Sequence, residues 1–352
     1  MVDTRQSESS VLVVRADSSA CMGTGHVMRC LALAQAWQDA GGQAIFLMAS
    51  GETELQDRLL SEDVEIASVV AEPGSAQDAS FTVAFARDCG AKWVVVDGYA
   101  FDTTYQWIIK DNDCKLLAVD DCGHARYYHS DFVLNQNIYA REHLYRGRQP
   151  YTRLLLGTRY ALLRREFAKW RQWKREIPPL ARNLLVTFGG GDSKNVTAKV
   201  LEGLQDLGFE DLQVTVVLGS NNLRRQELED AFVKSRFPIH IVERSSDMAA
   251  LMAESDLAIA ASGSTSWELA FMGLPSLLIA TAANQSPIAG GMARAGAAAN
   301  LGWHKDLSPT RIAEIAEQWV NDAILRERAA RNARELVDGQ GSHRVAEALM
   351  GQ

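Results

Sequence analysis

The sequence predicts an α/β protein built from two doubly wound, Rossmann-like domains whose loops face a common cleft. Short apolar runs, typical of buried parallel strands, alternate with helical patterns along most of the 352 residues. A basic segment that ends at Pro178-Pro179 interrupts this alternation, which then begins again. In each half a glycine-rich turn follows a strand. Ligands of such sheets bind beyond the carboxyl ends of the strands, so two facing halves predict a cleft that holds a ligand.

In the first half, the run "VLVVRA" at 11–16 predicts the opening strand. A helix is expected over 26–40, because four of its apolar residues would share one face. The other strands predicted in this half are 43–50, 92–99, 115–121 and 131–137, and a second helix is predicted over 105–112.

The pattern resumes at 183 with a strand, a glycine loop and the start of a helix. The remaining predicted strands lie within 212–219, 239–245, 256–273, 275–285 and 297–303, and a charged helical tail covers about 309–350. We therefore expect a flexible N-terminus over 1–10, an N-terminal domain over 11–165, a hinge over 166–182 and a C-terminal domain over 183–352 with closing helices.

Composition limits the classes of partner. The formal net charge of −8 and a pI near 5.5 argue against nucleic acid or an anionic membrane surface. The polar first ten residues predict no signal peptide, and no run of about 18 apolar residues predicts a membrane span. Five cysteines without CxxC spacing indicate a reducing compartment and no zinc site. The cytoplasm is the expected location, and the oligomeric state is left open.

The stretch "GTGH" joins the first strand to the first helix. Gly23 and Gly25 permit a tight turn, and His26 falls in the first turn of the helix. The histidine is either a packed polar residue or a base facing the cleft, since a helix N-terminus disfavours imidazolium and keeps the ring able to accept a proton. The third glycine of a dinucleotide fingerprint is absent.

A second glycine loop, "FGGGDSKN", follows the first strand of the second half. Gly189, Gly190 and Gly191 precede Asp192 and Ser193, either of which can cap the next helix. Free amides and the helix dipole would make a pyrophosphate cradle here, and the alternative is an ordinary strand-to-helix turn. The loop is not a P-loop.

A third turn, Ser262-Gly263-Ser264, leads into a helix that carries Glu268. A carboxylate one turn into a helix can bind two vicinal hydroxyls, as on a ribose, although alone it would more simply complement the helix dipole. At the end of the next strand, Asn284 and Gln285 are paired amides where cleft residues should lie.

Two strand ends of the first half carry further polar groups. "VDGY" offers Asp97 and Tyr99, and "VDDCGH" offers Asp120, Asp121 and His124. Paired carboxylates can hold a metal, but no further cluster with ligand spacing accompanies them. A structural loop is the favoured interpretation, and neither a metal nor a cofactor is predicted.

Together these stretches resemble one enzyme family, the UDP-2,4-diacetamido-2,4,6-trideoxy-β-L-altropyranose hydrolases of pseudaminic acid biosynthesis. The resemblance runs from about 11 to 303 and rests on "RADSSACMGTGHVMRCLALA", "VDGY", "DDCGHARYYHSDFVLNQNIYA", "YALLRREF", "TFGGGDSKN", "SGSTSWELAFMGLP" and "NQ". Apart from the opening stretch with the glycine loop, these motifs are shared with wider GT-B glycosyltransferases, especially the family that adds GlcNAc to lipid-linked muramyl peptide.

The resemblance implies a GT-B fold, UDP held mainly by the second half, and a metal-independent, inverting hydrolysis. It assigns His26 as the base that activates water, with Tyr99 near the sugar or the water and Asn284 near the sugar and phosphates. Glu268 would take the ribose hydroxyls, and Arg164 is a weaker candidate for substrate contact. The remaining implied nucleotide-side residues are Gly23, Gly25, Gly189, Gly190, Gly191, Ser262, Gly263, Ser264 and Gln285.

The sequence departs from the family pattern at Gly98, before Tyr99, and at Gly191 in the glycine loop. These departures concern the specificity for the sugar more than the type of reaction.

Three other functions remain open. A glycosyltransferase would share the fold, the UDP site and the histidine, and a membrane-bound acceptor would favour an apolar or basic patch, to which 145–153 comes nearest. A nucleotide-sugar-binding protein would lack turnover. A non-hydrolysing UDP-GlcNAc 2-epimerase would need cleft carboxylates and several histidines that the sequence does not place.

Overall fold

The computed structural model describes residues 10–18, 23–51, 53–189, 192, 194–209, 211–219, 225–233, 235–243 and 247–351. Within these residues the chain forms two parallel β-sheets, each flanked by helices, as the sequence predicts. Four clusters of buried apolar side chains cover the two faces of each sheet.

The first sheet has seven strands among the described residues, in the order β3-β2-β1-β4-β5-β6-β7. Its strands are β1 Val11–Ala16, β2 Gln43–Met48, β3 Glu65–Ser68, β4 Ala91–Asp97, β5 Lys115–Val119, β6 Phe132–Asn135 and β7 Arg153–Leu156. The helices of this half are α1 Gly25–Asp39, α2 Thr53–Leu60, α3 Ala76–Asp88 and α4 Thr103–Asp111. Because β1 lies between β2 and β4, the winding direction reverses beside β1, where a doubly wound sheet opens its ligand crevice.

The second sheet has six strands in the described part of the chain, in the order β10-β9-β8-β11-β12-β13. They are β8 Asn183–Thr187, β9 Gln213–Leu218, β10 Ile239–Glu243, β11 Leu257–Ala261, β12 Ser276–Ala280 and β13 Ala299–Trp303. The helices are α5 Val196–Gln205, α6 Arg225–Ala231, α7 Met248–Glu254, α8 Thr265–Phe271, α9 Ser286–Arg294, α10 Pro309–Asn321, α11 Ala323–Leu336 and α12 Gly341–Met350. Here the winding reverses beside β8, between β9 and β11.

The basic segment between the halves consists of short elements. Residues 153–156 add the edge strand β7, and short 3-10 helices follow at Thr158–Tyr160 and Arg165–Trp170. Gly157, with φ 94°, precedes the first of these 3-10 helices, and the extended Arg164 precedes the second. The helical conformation is interrupted at both residues. A continuous α-helix is therefore excluded here.

Arg175 fastens the end of this linking segment to the second half. Its buried guanidinium donates to carbonyl oxygens of Met252, Ser255 and Met272 at the ends of α7 and α8. These carbonyls have no partner within their own helices, so the arginine satisfies them. The linking segment is thus tied to two helix ends.

The last helix, α12, returns to the first half. Its apolar residues Val345, Ala346 and Leu349 belong to the buried cluster around α1, and Trp93 Nε1 donates to the Leu349 carbonyl at 2.9 Å. This packing differs from the assignment of all of 183–352 to one C-terminal domain, because α12 closes the first sheet rather than the second. The boundaries at 165 and 183 stay a prediction.

None of the helices in the described part of the chain combines the length and the apolar composition that a membrane span requires.

Candidate active site

A cavity of about 460 Å³ lies where the carboxyl ends of the two sheets face each other. Ten of the sequence-predicted site residues line it: Gly23, Gly25, His26, Arg164, Gly189, Gly263, Ser264, Glu268, Asn284 and Gln285. Tyr99 and Ser262 lie outside this lining, and Gly190 and Gly191 lie outside the described residues. The first turns of α1 and α8 approach closely, since a Cβ built on Gly25 would be 3.5 Å from Ser264 Oγ.

His26 is the second residue of α1, and its ring is largely buried. Its Nδ1 lies 2.5 Å from the Asp97 carboxylate at the end of β4. This contact fixes the orientation of the ring and directs Nδ1–H to Asp97. Nε2 has no partner among the described residues and is the nitrogen left for the cleft.

Arg29, one turn further along α1, links two carboxylates. Its Nε lies 2.6 Å from Asp97 Oδ2, and its Nη1 lies 2.7 Å from Asp121 Oδ1. Although burial opposes ionisation, the charge of Arg29 and the hydrogen bonds from Arg29 and His26 lower the pKa of Asp97 well below its ordinary value. Asp97 is therefore a permanent anion behind His26.

Tyr99 connects the two halves. Its hydroxyl accepts from Asn284 Nδ2 at 2.9 Å and donates to Asp121 at 3.2 Å. The ring stands edge-on to His26 and His124, at centroid distances of 5.5 and 5.7 Å. Burial and the charge of Asp121 raise the pKa of Tyr99 above its ordinary value, so the phenol is a neutral hydrogen-bonding group.

The sequence offers Asp120, Asp121 and His124 as an alternative metal site. In the structure these side chains bond to groups of the protein. Asp120 accepts from the Tyr128 and Tyr145 hydroxyls and pairs with His124 Nδ1 at 2.6 Å. Asp121 accepts from Arg29 and Asn137. Among the described residues, no group of three or more His, Cys, Asp or Glu side chains is arranged to hold a metal ion.

The start of α5 follows the glycine loop of the second half. The Asp192 carboxylate accepts from Val196 N at 2.9 Å and Thr197 N at 2.7 Å, so it caps the first two amides of this helix. These two amides are consequently bonded within the protein. Gly190, Gly191 and Ser193 lie outside the described residues, and the phosphate cradle stays a prediction.

Two predicted site residues, Ser262 and Gln285, stabilise the turns at the other end of the cavity by hydrogen bonds. Ser262 is fully buried and donates to the Ile279 and Gln285 carbonyls. Gln285 Oε1 accepts from the amide and hydroxyl of Thr281. These bonds hold Gly263, Ser264 and Asn284 at the cavity wall, so Ser262 acts on the site through the backbone.

Glu268 is paired across the joint between the halves. Arg164 Nη2 lies 2.9 Å from its carboxylate and 3.4 Å from Glu166. Burial lowers the pKa of Arg164, but the charges of Glu268 and Glu166 outweigh that effect and raise it. Arg164 Nε is buried without a hydrogen-bond partner among the described residues.

Sequence reasoning missed the roles of Arg29, Asp121 and Lys194, and left Asp97 outside the candidate site. Arg29, Asp121 and Lys194 line the cavity, and Asp97 lies directly behind it. The available signal was position, because Asp97 and Asp121 follow adjacent parallel strands whose carboxyl ends meet at one edge.

Two facing Rossmann-like sheets with a cavity between their carboxyl ends define the GT-B class of fold. Residues 183–342 match the glycosyltransferase family 28 C-terminal domain. MurG of Acinetobacter baumannii aligns over 98% of this chain and 100% of its own, with a TM-score of 0.67 and 17% identity. A structure described as LpCGTa in complex with UDP aligns over 97% of this chain and 99% of its own, with a TM-score of 0.64 and 13% identity.

Three further proteins are more similar in sequence to this chain than these two structures are. An uncharacterized protein of Methanocaldococcus jannaschii is 24% identical over 76% of this chain, which spans 55% of that protein's length. The spore coat polysaccharide biosynthesis protein SpsG of Bacillus subtilis is 28% identical over 68% of this chain and 70% of its own. The UDP-2,4-diacetamido-2,4,6-trideoxy-β-L-altropyranose hydrolase of Campylobacter jejuni is 25% identical over 72% of this chain and 85% of its own. The resemblance found in the motifs is confirmed: the chain is similar in sequence to the Campylobacter hydrolase and shares the GT-B fold of MurG.

Proposed function

We propose that this protein is a nucleotide-sugar enzyme that hydrolyses a UDP-activated diacetamido-trideoxy sugar, releasing UDP and the free sugar. The observation that carries the proposal is His26 at the cavity wall, with Nδ1 bonded to Asp97 and Nε2 without a partner among the described residues. A histidine held in this way is suited to take a proton from water. The hydrolase name of the Campylobacter relative supports the choice of substrate class.

In this proposal His26 Nε2 accepts a proton from a water molecule as the water oxygen attacks the anomeric carbon. The bond from that carbon to the UDP oxygen breaks, and its electron pair leaves with the β-phosphate. Attack from the face opposite UDP inverts the anomeric centre. Asp97 is a positioning residue, because it orients the ring and stabilises the imidazolium that forms.

The second half would hold UDP. Glu268 would accept hydrogen bonds from the ribose hydroxyls, and Arg164 would keep that carboxylate ionised. Tyr99 and Asn284 lie within reach of one another across the cleft, which suits contacts with the sugar between them. UDP is a good leaving group, so placing one water and stabilising the departing charge are the demanding parts.

The reaction is proposed without a metal. Support comes from the absence of a DxD motif near the expected phosphate site and from the occupied carboxylates of Asp120 and Asp121. The proposed compartment is the cytoplasm, which suits a chain whose five cysteines include no CxxC spacing.

A UDP-sugar glycosyltransferase is the second candidate. The family 28 match over 183–342 and the MurG-like fold favour it. The two functions differ in the acceptor, since a hydrolase needs only water.

The test measures UDP release from UDP-2,4-diacetamido-2,4,6-trideoxy-β-L-altropyranose in buffer with EDTA. We expect rapid release by the wild type and a loss of about 10²–10⁴-fold in kcat for His26→Ala, because the general base is removed. Asp97→Asn should lose less than His26→Ala and keep UDP affinity, since Asp97 does not line the cavity. The control is Cys30→Ala, which removes a buried thiol and its contact to Asp97 at 3.3 Å, leaves the cavity wall unchanged, and should stay within a few-fold of wild type.

Wild-type-like turnover by His26→Ala would remove this residue from the mechanism. UDP release only after an acceptor is added would favour the transferase. Tight UDP binding with no turnover under either condition would indicate a nucleotide-sugar-binding protein.

A further inference from the structure

The cationic side chains that line the cavity differ in how they are neutralised. Arg29 is paired with Asp97 and Asp121, and Arg164 is paired with Glu268 and Glu166. Lys194 lines the same cavity, is exposed, and makes no hydrogen bond or ion pair with another described residue. Of the lysines and arginines on the described cavity wall, Lys194 alone keeps an uncompensated positive charge.

Two amides at the start of α5, close to Lys194, are already bonded to a carboxylate. Asp192 accepts from both Val196 N and Thr197 N, so its carboxylate occupies the place an anion would take. An incoming diphosphate would meet this carboxylate and needs a cation close by to offset it.

The surroundings of Lys194 are basic as well. Lys199 Nζ donates to the His304 carbonyl at 2.8 Å, and neither it nor Lys305 forms an ion pair with a described residue. His304 is buried, and its Nε2 has no partner in the described part of the chain. Burial, together with the charges of Lys199, Lys305 and Lys194, lowers the pKa of His304. The Asp192 carboxylate opposes this effect. Three lysines and one carboxylate therefore lie near His304, and of these lysines only Lys194 reaches the described cavity wall.

We propose that Lys194 binds the terminal phosphate of the nucleoside diphosphate and stabilises the charge that this phosphate gains as it leaves. The chemical part of this assignment rests on the proposed hydrolysis, whereas the binding part does not. As the bond between the anomeric carbon and the phosphate oxygen breaks, the electron pair stays on the phosphate. The Lys194 ammonium donates a hydrogen bond to that phosphate and keeps its proton, so no acid is consumed.

The first test compares UDP with UMP by titration calorimetry at fixed ionic strength. Lys194→Met keeps the stem of the side chain and removes its charge. We expect it to weaken UDP binding about 10- to 100-fold, the range of a lost charge-assisted hydrogen bond, and to change UMP binding less than about threefold. Lys194→Arg should restore UDP binding to within about fivefold of wild type, because it returns the cation.

Lys305→Met is the matched control, since it makes the same change in charge at an exposed neighbour that does not line the cavity. It should keep UDP and UMP affinity within about twofold, as expected for a screened charge outside the site. The second test is release of UDP from the sugar nucleotide under saturating conditions, where Lys194→Met should lower kcat at least about tenfold.

Unchanged UDP affinity in Lys194→Met would overturn the assignment. An equal loss for UDP and UMP would overturn it too, because that outcome indicates a structural defect rather than a contact with the second phosphate. If the wild type binds UDP but does not hydrolyse the sugar nucleotide, the proposed hydrolysis fails while the UDP and UMP comparison still decides the role of Lys194. A wild type that does not bind UDP would overturn both proposals.

Discussion

Asp120 organises the loop that carries Asp121 and His124 to the edge of the cleft. Its carboxylate accepts from Gly123 N at 2.5 Å, from the Tyr128 hydroxyl at 2.6 Å and from the Tyr145 hydroxyl at 3.1 Å. Although burial opposes ionisation, His124 and these hydrogen bonds lower the pKa of Asp120 to about 2. The ionised form is therefore favoured by folding.

We predict that Asp120→Asn loses about 2 kcal/mol of unfolding free energy at pH 7, in proportion to the lowered pKa. The native pKa lies below the unfolded value, so this stability is present above about pH 4 and is lost as the pH falls toward 2. The wild type should consequently lose more stability than the variant between about pH 4 and pH 2 in urea denaturation. Asp111→Asn, an exposed change on α4, should follow the wild type. Parallel pH profiles for wild type and Asp120→Asn would refute the prediction.

At this scale the sequence identifies His26 but not its partner. The "GTGH" turn places the histidine at a helix start, whereas Asp97 is 71 residues away and becomes its neighbour only because β4 pairs with β1. The register that sets Ala16 beside Asp97 depends on the order of strands, which local patterns do not encode. The pairing of Arg164 with Glu268 joins residues 104 apart on the linking segment and on α8, which local patterns do not encode either.

Among the elements, α1 shows how a local pattern can be correct and incomplete. Four apolar residues on one face predict a helix, and in the structure eleven residues of α1 are buried, from His26 to Trp37. One side packs on β1 and β2, and α12 covers another side from the opposite end of the chain. The strands β3 and β7 were missed because each has four residues and partly exposed side chains, which leaves little periodic signal.

We predict that Leu349→Ala destabilises the protein by about 2–4 kcal/mol, because it opens a cavity between α12 and α1 where Leu349 is fully buried. Urea denaturation measures the change. The control is Leu60→Ala at a side chain that is 56% exposed, for which less than about 1 kcal/mol is expected. Equal effects of the two substitutions would show that α12 does not contribute to the packing of the first half.

Over the whole molecule, polar bridges connect the two halves around the cavity. Asn284 bonds to Tyr99 on one side. On the other side, Glu166 accepts from Arg58 of α2 at 3.2 Å and from Met248 N of α7 at 3.1 Å. Arg164 joins this group to Glu268. The carboxylate proposed to bind ribose is therefore part of the connection between the halves. If Glu268 binds ribose as proposed, loss of Arg164 should change both stability and nucleotide affinity.

Arg164→Met should lower the unfolding free energy by about 3–5 kcal/mol, because it leaves the mostly buried carboxylate of Glu268 without its cation. Adding Glu268→Gln to that variant removes the unpaired charge, while Glu166 keeps Arg58, so the double variant should recover at least half of the loss. UDP affinity should fall in the single variant and stay low in the double variant, because the introduced amide binds ribose hydroxyls less strongly than the Glu268 carboxylate does. Urea denaturation and UDP calorimetry separate the two effects, and Arg165→Met, at a side chain 41% exposed, is the control for loss of a neighbouring cation. Recovery of UDP affinity together with stability would mean that Glu268 serves only the connection between the halves, and the ribose contact would then have to lie elsewhere on the cavity wall.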